Sequence, residues 1–575
     1  MNFIKTVLAV LVAQFLLMFA VVFGLIVMST LFSRDTSVHV ADGSWLIIDV
    51  YGEIPPYDEP ESIQSSLFDQ GETLTRMLEN LEKAAADKRI DGVIMKISGS
   101  NSLGMASMGE LRDAIARVRA ARKPVYAFSD DLDRSALYLA SACDSIFMPG
   151  VADVSFTGFG ATDMFLKGTL DKLDVHEQLH KIKDYKTAAE TLQRDSMSPE
   201  AKEMANWMID EMWDIELGAI SRDRDLPMDS LETCMEHALF TASEAKTAGL
   251  IDDVRYWDEI EDQLGGDDLE TVDSDTYADV TRSEAGIRGK KHIAVVHAYG
   301  AIGGRESRSD GPMGAMMGHE TVVESLRDAA DNDHVAAIIF RVDSPGGESL
   351  ASELISREVG KIAKDKPVIV SMGDVAASGG YAVSYRATKI VADSLTITGS
   401  IGSIYGKFNV AGLYNKGGIT FDSVTRGANA MLFSELTDFD APQWERVKSY
   451  HNASFELWLR EIAAARKMTV EQLRPITEGR VWTGRQAVAN HLIDDTGGYE
   501  RAIEVAKSAA GIDSTDNVII EHYPKRRGLV ALLTSGDAPI TLTRLAINSV
   551  MRRDIAEMKQ MLRASDWRLY TGRFE

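Results

Sequence analysis

One serine in the sequence lies in a context that could expose its hydroxyl group. The apolar run 367–370 predicts a short strand, and Ser378 follows shortly after it, next to Gly379 and Gly380. Two glycines let a helix begin close to the sheet, and they leave the N–H of Gly379 open to a substrate carbonyl. Such a strand-to-helix elbow can present a nucleophile. A serine N-cap beside a packing pair of glycines is the alternative interpretation.

An activated serine needs a base nearby, because its hydroxyl is a weak nucleophile at neutral pH. The 11 histidines are scattered, without metal-ligand spacing or an evident pairing with Ser378. This pattern argues against a Ser-His-Asp triad and against a metal site. Asp374, four residues before the serine, is better interpreted as a turn-forming carboxylate than as a catalytic acid. We expect neither a metal nor a cofactor.

The elements that must position this serine belong to an internal repeat. Strands alternate with helical stretches, such as 108–121 and 350–363, so each half is predicted to be an α/β unit with crossover connections. Four pairs of matching segments occur in the same order in the two halves: 45–54 with 293–302, 92–97 with 337–342, 123–125 with 366–368, and 241–253 with 483–495. Chance is a poor explanation for four ordered matches, which indicates a duplication.

The repeat also sets the predicted domain boundaries. We expect an N-terminal segment 1–32, a first α/β unit over 33–261, a linker over 262–290, a second α/β unit over 291–515 and a tail over 516–575. The linker is rich in acidic and small polar residues, which predicts a solvated segment. In the tail, apolar residues recur at helical spacing among basic ones. This pattern predicts an amphipathic helix that docks on the body, on another subunit or on anionic lipid.

The two halves differ where chemistry would occur. The shared Lys-Pro-Val motif aligns Ser378 with Ser135, but Arg134 and two further side chains crowd the elbow of the first half. The same register places Lys186 opposite Asn429. One half therefore keeps an open serine elbow without a lysine, and the other keeps a lysine with a crowded elbow. A working site would need both halves.

A lysine can act as a base only after it has lost its proton. Lowering its pKa by about 3 through burial in a dry site would cost roughly 4 kcal/mol. The charges of Lys181 and Lys183 would help to lower the pKa of Lys186, whereas Asp184 would oppose them. A solvated surface lysine is the alternative interpretation, since lysines are rarely buried.

The loop after a neighbouring strand could complete an oxyanion hole. Pro345 is followed by Gly346 and Gly347, and neither glycine has a Cβ to block an approaching substrate. The N–H groups of Gly379 and of Gly347 or Gly346 could bind a developing oxyanion, with Gly347 preferred. A simple turn is the alternative interpretation of this loop.

Composition narrows the classes of function. A length of 575 residues suggests two to four domains, and a net charge of −26 argues against nucleic acid as a partner. Cys143 and Cys234 are too few for a disulfide framework or a zinc site. One bridge between them stays open as an alternative to two buried thiols.

The N-terminal segment is apolar enough to cross a membrane. Residues 6–32 carry no charge, and at about 1.5 Å per residue they would span roughly 40 Å as a helix. Lys5 also fits the basic start of a cleavable signal peptide, but the apolar run is longer than is typical for one. We expect a retained transmembrane helix with the N-terminus inside and the acidic bulk outside the cytoplasm.

Together these motifs resemble a known family. The apolar anchor, the duplicated α/β unit, the loop at 343–347, the elbow at 377–381 and Tyr-Lys-Thr-Ala at 185–188 are similar to the two-repeat form of the signal peptide peptidase A family. The similarity extends over about residues 40–515. It implies an α/β fold of the Clp protease and crotonase superfamily, duplicated in tandem.

The resemblance also implies an activity and its residues. Ser378 would be the nucleophile and Lys186 the general base of a membrane-bound serine protease that degrades released signal peptides and other apolar peptides. Family members form rings, which implies a homo-oligomer, here a tetramer. The location implied is the bacterial inner membrane, with a single span and the catalytic part on the periplasmic side. A crotonase-like acyl-CoA enzyme and a non-catalytic membrane scaffold are the alternatives.

Overall fold

The computed structural model describes residues 38–57, 71–308 and 314–525. The predicted anchor and almost all of the predicted basic tail lie outside these residues. Within the described ranges, no helix combines the length and the apolar character needed to cross a membrane. One compact unit, Val40–Tyr57 with Glu72–Pro524, contains every element discussed below.

The first half of the described chain is built on a parallel sheet. Its strands are β1 (Ser44–Gly52), β2 (Ile90–Asn101), β3 (Val125–Phe128), β4 (Asp131–Asp133), β5 (Ser145–Met148), β6 (Asp153–Phe156), β7 (His176–Lys181), β8 (Ala238–Thr241), β9 (Asp253–Val254) and β10 (Thr271–Asp273). Six of them form the sheet in the order β10-β1-β2-β3-β5-β9, and β4, β6 and β8 form a smaller one.

Helices connect and cover these strands, as parallel pairing requires. They are α1 (Leu74–Ala86), α2 (Met105–Ala120), α3 (Arg134–Ala140), α4 (Lys167–Leu173), α5 (Glu190–Gln193), α6 (Pro199–Met212), α7 (Gly218–Arg224), α8 (Met228–His237), α9 (Ala242–Thr247), α10 (Trp257–Leu264) and α11 (Ser274–Ala278). A π-helical turn, Trp213–Leu217, joins α6 to α7.

The second half repeats this arrangement around a second sheet. Its strands are β11 (Lys291–Tyr299), β12 (Ala301–Ile302), β13 (Met316–Met317), β14 (Val335–Ser344), β15 (Val368–Ala377), β16 (Lys389–Ala392), β17 (Ile397–Gly399), β18 (Ile404–Asn409), β19 (Val481–Thr483), β20 (Asp495–Thr496) and β21 (Val518–Tyr523). The order is β19-β17-β15-β14-β11-β21, with β16 between β15 and β20. Only the β17–β19 pair of this described sheet is antiparallel.

The helices of the second half are α12 (His319–Asp331), α13 (Ser349–Ile362), α14 (Gly379–Ala382), α15 (Ala411–Lys416), α16 (Ala441–Ala465), α17 (Val470–Leu473), α18 (Gly484–Ala489) and α19 (Tyr499–Ala509). The two halves share local chemistry as well as topology. Thr241 with Glu244, and Thr483 with Gln486, form capping boxes at the starts of α9 and α18. The matching sequence segments thus encode the same helix start twice.

Central strands of the second sheet are apolar on both faces, which is typical of parallel strands covered by helices. Four consecutive residues of β11, Ile293–Val296, are fully buried. The core beside them includes Phe340 of β14 and Val370 of β15. These are the two strands whose ends carry the glycine loop and the serine elbow, so the core fixes both.

In two segments the structure differs from the prediction made from the sequence. Residues 271–273, inside the predicted solvated linker, form strand β10 at the edge of the first sheet, and Tyr277 of α11 is fully buried. Strand β21 occupies the start of the predicted tail and pairs with β11. In both places a few apolar residues find partners in a distant part of the chain, and these partners outweigh the polar local composition.

The halves are joined by a strand pair and by a buried ion pair. Strand β7 of the first half pairs antiparallel with β18 of the second. Arg341 of β14 donates two hydrogen bonds to Glu110 of α2, at 2.6 and 2.7 Å. The N–H of Tyr499 donates to the same carboxylate at 2.9 Å. The side chains of the ion pair are 7% and 2% exposed, so each charge depends on the other.

Replacing Glu110 by alanine is therefore expected to destabilise the docked halves strongly. The change leaves the Arg341 guanidinium buried without its carboxylate, which typically costs about 3–5 kcal/mol. Thermal melting should show a clear fall in Tm. Asp171→Ala, which removes the exposed Lys167–Asp171 ion pair, is the matched control and should leave Tm unchanged. Equal melting curves for the two variants would contradict the expectation.

Candidate active site

Ser378 lies at the sharp turn between β15 and α14. Its backbone has φ 56° and ψ −112°, a conformation that residues with a side chain rarely adopt. The N–H of Ser378 donates to the carbonyl of Gly399 at 2.9 Å, which holds the turn against β17. A Cβ on Gly380 would lie 2.5 Å from the carbonyl oxygen of Ser344. The glycine therefore permits the close contact that lifts the hydroxyl group out of the strand.

The glycine loop after β14 packs directly against this elbow. A Cβ on Gly346, whose φ is 104°, would lie 2.6 Å from the backbone nitrogen of Gly379 and 2.9 Å from Ser378 Cβ. The N–H of Gly346 is already bonded to Ser344 Oγ at 3.2 Å. Within the described chain, the N–H groups of Gly347 and Gly379 have no such hydrogen-bond acceptor. These two groups are therefore N–H donors that are available beside the serine.

Lys186 follows β7 in the first half, yet its amine reaches the serine of the second half. Its Nζ lies 3.0 Å from Ser378 Oγ, 2.9 Å from the carbonyl oxygen of Ser400 and 2.9 Å from Ser400 Oγ. The residue is 6% exposed, and this burial lowers the pKa of Lys186 to about 8.

Burial lowers the pKa of Lys186 as predicted, but the predicted contribution of neighbouring charges is absent. Neighbouring lysines were expected to contribute by repulsion, but Lys181 pairs with Glu190 at 2.6 Å and Lys183 with Glu478 at 3.0 Å. Their charges are thus matched locally by carboxylates. Desolvation alone accounts for the lowered pKa of Lys186.

Loops of the second half hold the lysine loop in place. A Cβ on Gly479, whose φ is 91°, would lie 2.3 Å from the backbone nitrogen of Lys186. A Cβ on Gly402 would lie 2.2 Å from the carbonyl oxygen of Ile182. The N–H of Ile182 donates to the Ser403 carbonyl at 3.0 Å. The position of the amine therefore depends on close backbone packing across the two halves.

Gly479→Ala is expected to reduce kcat/KM by about 100-fold, because a displacement of about 1 Å at a catalytic group can have that effect. The added methyl would collide with the backbone of Lys186, which cannot yield as a flexible side chain could. Gly418→Ala is the matched control, since Gly418 has a φ of 73° and no atom within 4 Å of its Cβ position. Peptide turnover measured for both variants separates collision from backbone strain. Similar losses in both would contradict the role assigned to Gly479.

The residues that correspond to Ser378 and Lys186 in the repeat have different surroundings. Ser135 donates to Asp133 Oδ1 at 2.8 Å. Arg134 forms an ion pair with the fully buried Glu216 and lies 3.7 Å from the Phe159 ring centroid. In the repeat register, the charged Arg134 corresponds to the small Ala377 of the second half. Asn429, opposite Lys186 in the repeat, lies in an exposed loop.

Other residues considered from the sequence lie elsewhere. Asp374 accepts a hydrogen bond at 2.9 Å from the N–H of Ser107, and another from the hydroxyl of that residue. Its carboxylate thus caps the first turn of α2 instead of its own turn. Cys143 and Cys234 are both buried free thiols, so the alternative of a bridge between them is wrong.

Two residues of the site were missed by sequence reasoning. Ser400 touches the lysine amine through two oxygen atoms, and Gly479 supports the lysine backbone. The small residues of the run 398–403 indicate a tight loop, which was the available signal for Ser400. No local signal distinguishes Gly479 from glycines of ordinary turns.

Comparison with known proteins identifies the family. The model of peptidase family S49 matches residues 117–267 and 361–513, one match in each half and together just over half of the chain. "Serine protease SPPA, chloroplastic" of Arabidopsis thaliana is 34% identical, over 79% of this chain and 68% of that protein.

Two bacterial proteins give the same result. "Protease 4" of Haemophilus influenzae is 31% identical over 74% of this chain and 71% of its own length. "Protease 4" of Salmonella typhi is 29% identical over 89% and 84% respectively. The family predicted from the motifs is thereby confirmed. The chain belongs to peptidase family S49 and is a serine peptidase.

Proposed function

We propose that this peptidase is a membrane-anchored endopeptidase that uses Ser378 as nucleophile and Lys186 as general base. One distance carries the proposal: Lys186 Nζ lies 3.0 Å from Ser378 Oγ, in a site dry enough to lower the pKa of the amine to about 8. A base with a pKa near the working pH combines sufficient neutral form with sufficient basicity.

The contacts of the amine specify its orientation. A neutral amine has two hydrogens and one lone pair. The Ser400 carbonyl can only accept a hydrogen, and Ser400 Oγ can accept the second. The lone pair is then left for the hydroxyl proton of Ser378. Ser400 thus orients the amine for proton removal.

The chemical steps follow from this arrangement. As Ser378 Oγ forms a bond to the substrate carbonyl carbon, its proton passes to Lys186 Nζ. The oxyanion that develops accepts hydrogen bonds from the N–H groups of Gly379 and Gly347. Lys186 then gives the proton to the leaving amine as the peptide bond breaks, which leaves an acyl-enzyme. Water, activated by the same amine, releases the acyl product and regenerates the serine.

The substrates we propose are released signal peptides and other extended apolar peptides. The apolar segment 6–32 would keep the enzyme at the inner membrane as a single span, with its acidic body on the periplasmic side. Similarity to proteins named Protease 4 and serine protease SPPA supports this assignment. We also propose a homo-oligomer, a tetramer by family resemblance.

A direct test is covalent labelling by a fluorophosphonate followed by peptide mapping. The detergent-solubilised full chain should take one label, on Ser378, and a quenched apolar peptide should slow the labelling by competition. A label on another serine would reject the nucleophile. Absence of both labelling and peptide cleavage would instead favour the scaffold alternative.

A further inference from the structure

A second hydrogen-bonded group of side chains lies close to the site and has no part in the proposed chemistry. Ser403 Oγ lies 2.6 Å from His451 Nε2, and His451 Nδ1 lies 2.9 Å from His180 Nδ1. The three residues come from separate places: His180 from β7 of the first half, His451 from α16, and Ser403 from the loop before β18. His451 is 4% exposed.

The facing nitrogens restrict where protons can lie. Two Nδ1 atoms at this distance form a hydrogen bond only if one carries a hydrogen and the other does not. In one neutral arrangement, Ser403 donates to His451, which donates to His180. In the other, His180 donates to His451, which donates to Ser403. Both arrangements keep the hydrogen bonds from Ser403 to His451 and from His451 to His180. Protonation of both rings breaks the hydrogen bond between the two histidines.

The surroundings keep the two rings neutral. Burial lowers the pKa of His451 to about 4 and also lowers the pKa of His180. The charged groups around them include Lys448 of α16, which disfavours a proton on His180 and itself forms an ion pair with Glu445. Tyr405 of β18 and Trp444 of α16 cover the rings with aromatic surface. The hydrogen bonds between Ser403, His451 and His180 are thus intact over the pH range in which Lys186 loses its proton.

This series of hydrogen bonds ends at Ser403, in the segment 400–403 that contacts Lys186 and its neighbours. The Ser403 carbonyl accepts the N–H of Ile182, and Gly402 packs against the carbonyl of the same residue. Ser400, three residues before Ser403, makes two hydrogen bonds to the amine of Lys186. The segment 400–403 is therefore fixed at one end by the amine and at the other by His451.

We propose that His180, His451 and Ser403 act as positioning residues that fix the segment 400–403 and so keep the amine of Lys186 buried and directed at Ser378. The inference rests on the proposed function, because it assigns these residues to the placement of the proposed base. They touch neither the substrate nor the reacting atoms. Their effect passes through Ser400.

Ser403→Ala is the variant that tests this, since it removes one hydroxyl and little volume. We expect kcat to fall about 10-fold with KM unchanged within twofold. We also expect the acid limb of the kcat/KM profile to move to higher pH by at least about 0.5, because a looser segment admits water to the amine. A purely structural role would lower Tm without moving that limb. Ser403→Thr, which keeps the hydroxyl, should restore the wild-type profile.

Two controls make the outcome decisive. Ser454→Ala removes an exposed hydroxyl from the same helix as His451 and should change neither kcat nor the profile. His451→Phe retains a ring but no hydrogen bond and should reproduce the Ser403→Ala profile. A wild-type profile in the folded Ser403→Ala variant would overturn the inference while leaving the proposed function standing. Failure of the wild-type protein to label at Ser378 would overturn both.

Discussion

Replacement of Ser378 by alanine is expected to lower kcat/KM for peptide hydrolysis by at least about 10⁴-fold, as removal of a nucleophile does in other serine peptidases. Only the hydroxyl oxygen is lost, and Gly379 and Gly380 keep their contacts. The fold and peptide binding should therefore persist. Turnover of a quenched apolar peptide gives the rate, and binding of the uncleaved peptide shows that the site is still formed.

The chain offers a matched control for this change. Ser135 is the corresponding serine of the first half, and its hydroxyl bonds to Asp133 instead of an amine. Ser135→Ala should keep the wild-type rate within about twofold, since the hydroxyl bonds to Asp133 and to none of the proposed catalytic groups, and substitutions away from a site have small effects. Retained activity in Ser378→Ala, or its loss in Ser135→Ala, would place the nucleophile elsewhere.

Replacement of Lys186 by methionine is expected to remove activity and to stabilise the fold. Burial lowers the pKa of this lysine from its ordinary 10.5 to about 8, a penalty of about 3 kcal/mol at about 1.36 kcal/mol for each factor of ten. Methionine fills a similar volume without a charge. After allowance for the two lost hydrogen bonds to Ser400, at about 0.5–1.5 kcal/mol each, a net gain of about 0–2 kcal/mol in the free energy of unfolding remains.

The sign of the pH dependence follows from the same values. Between pH 8 and 10.5 the unfolded chain binds more protons at this lysine than the folded chain. Wild-type stability should therefore rise with pH across that window, while the full penalty applies below pH 8. The Lys186→Met variant should lack this rise. In the wild type, kcat/KM should rise about tenfold per pH unit below about pH 8 and should be constant above it.

Urea denaturation of both proteins at pH 7 and at pH 10 measures this difference. The stability gap should be larger at pH 7 than at pH 10. Lys183→Met, which removes a half-exposed lysine paired with Glu478, is the control and should show no such pH-dependent gap. A destabilised Lys186→Met protein, or one that still cleaves peptides, would contradict the assignment of a buried neutral base.

Elements whose sequence signal is local could be predicted. The apolar run before Ser378 and the two glycines after it predicted the elbow, and the repeat register singled out Lys186, which the structure places beside Ser378. The alternation of strands and helices predicted two α/β units, and two parallel sheets are present. Each of these signals lies within a few residues or is doubled by the repeat.

Features that depend on partners far away in the sequence could not be predicted in this way. Strand β10 and the buried Tyr277 lie in a segment of polar composition, and their partners lie far away in the sequence. The contact of Ser400 with Lys186 could not be predicted without the pairing of β7 with β18, since it joins residues 214 positions apart. The pairing of Lys183 with Glu478, which matches one of the charges expected to lower the pKa of Lys186, likewise joins distant parts of the sequence.

The division of the site between two halves has a consequence during synthesis. Ribosomes make Lys186 first, and Ser378 follows 192 residues later. Gly479, whose close packing supports the lysine loop, is made later still. In the proposed mechanism a nascent chain is therefore latent until most of it has been translated and both halves have docked. Until then the proposed nucleophile and base lie in separate, undocked parts of the chain, so the unfinished protein cannot cleave its neighbours.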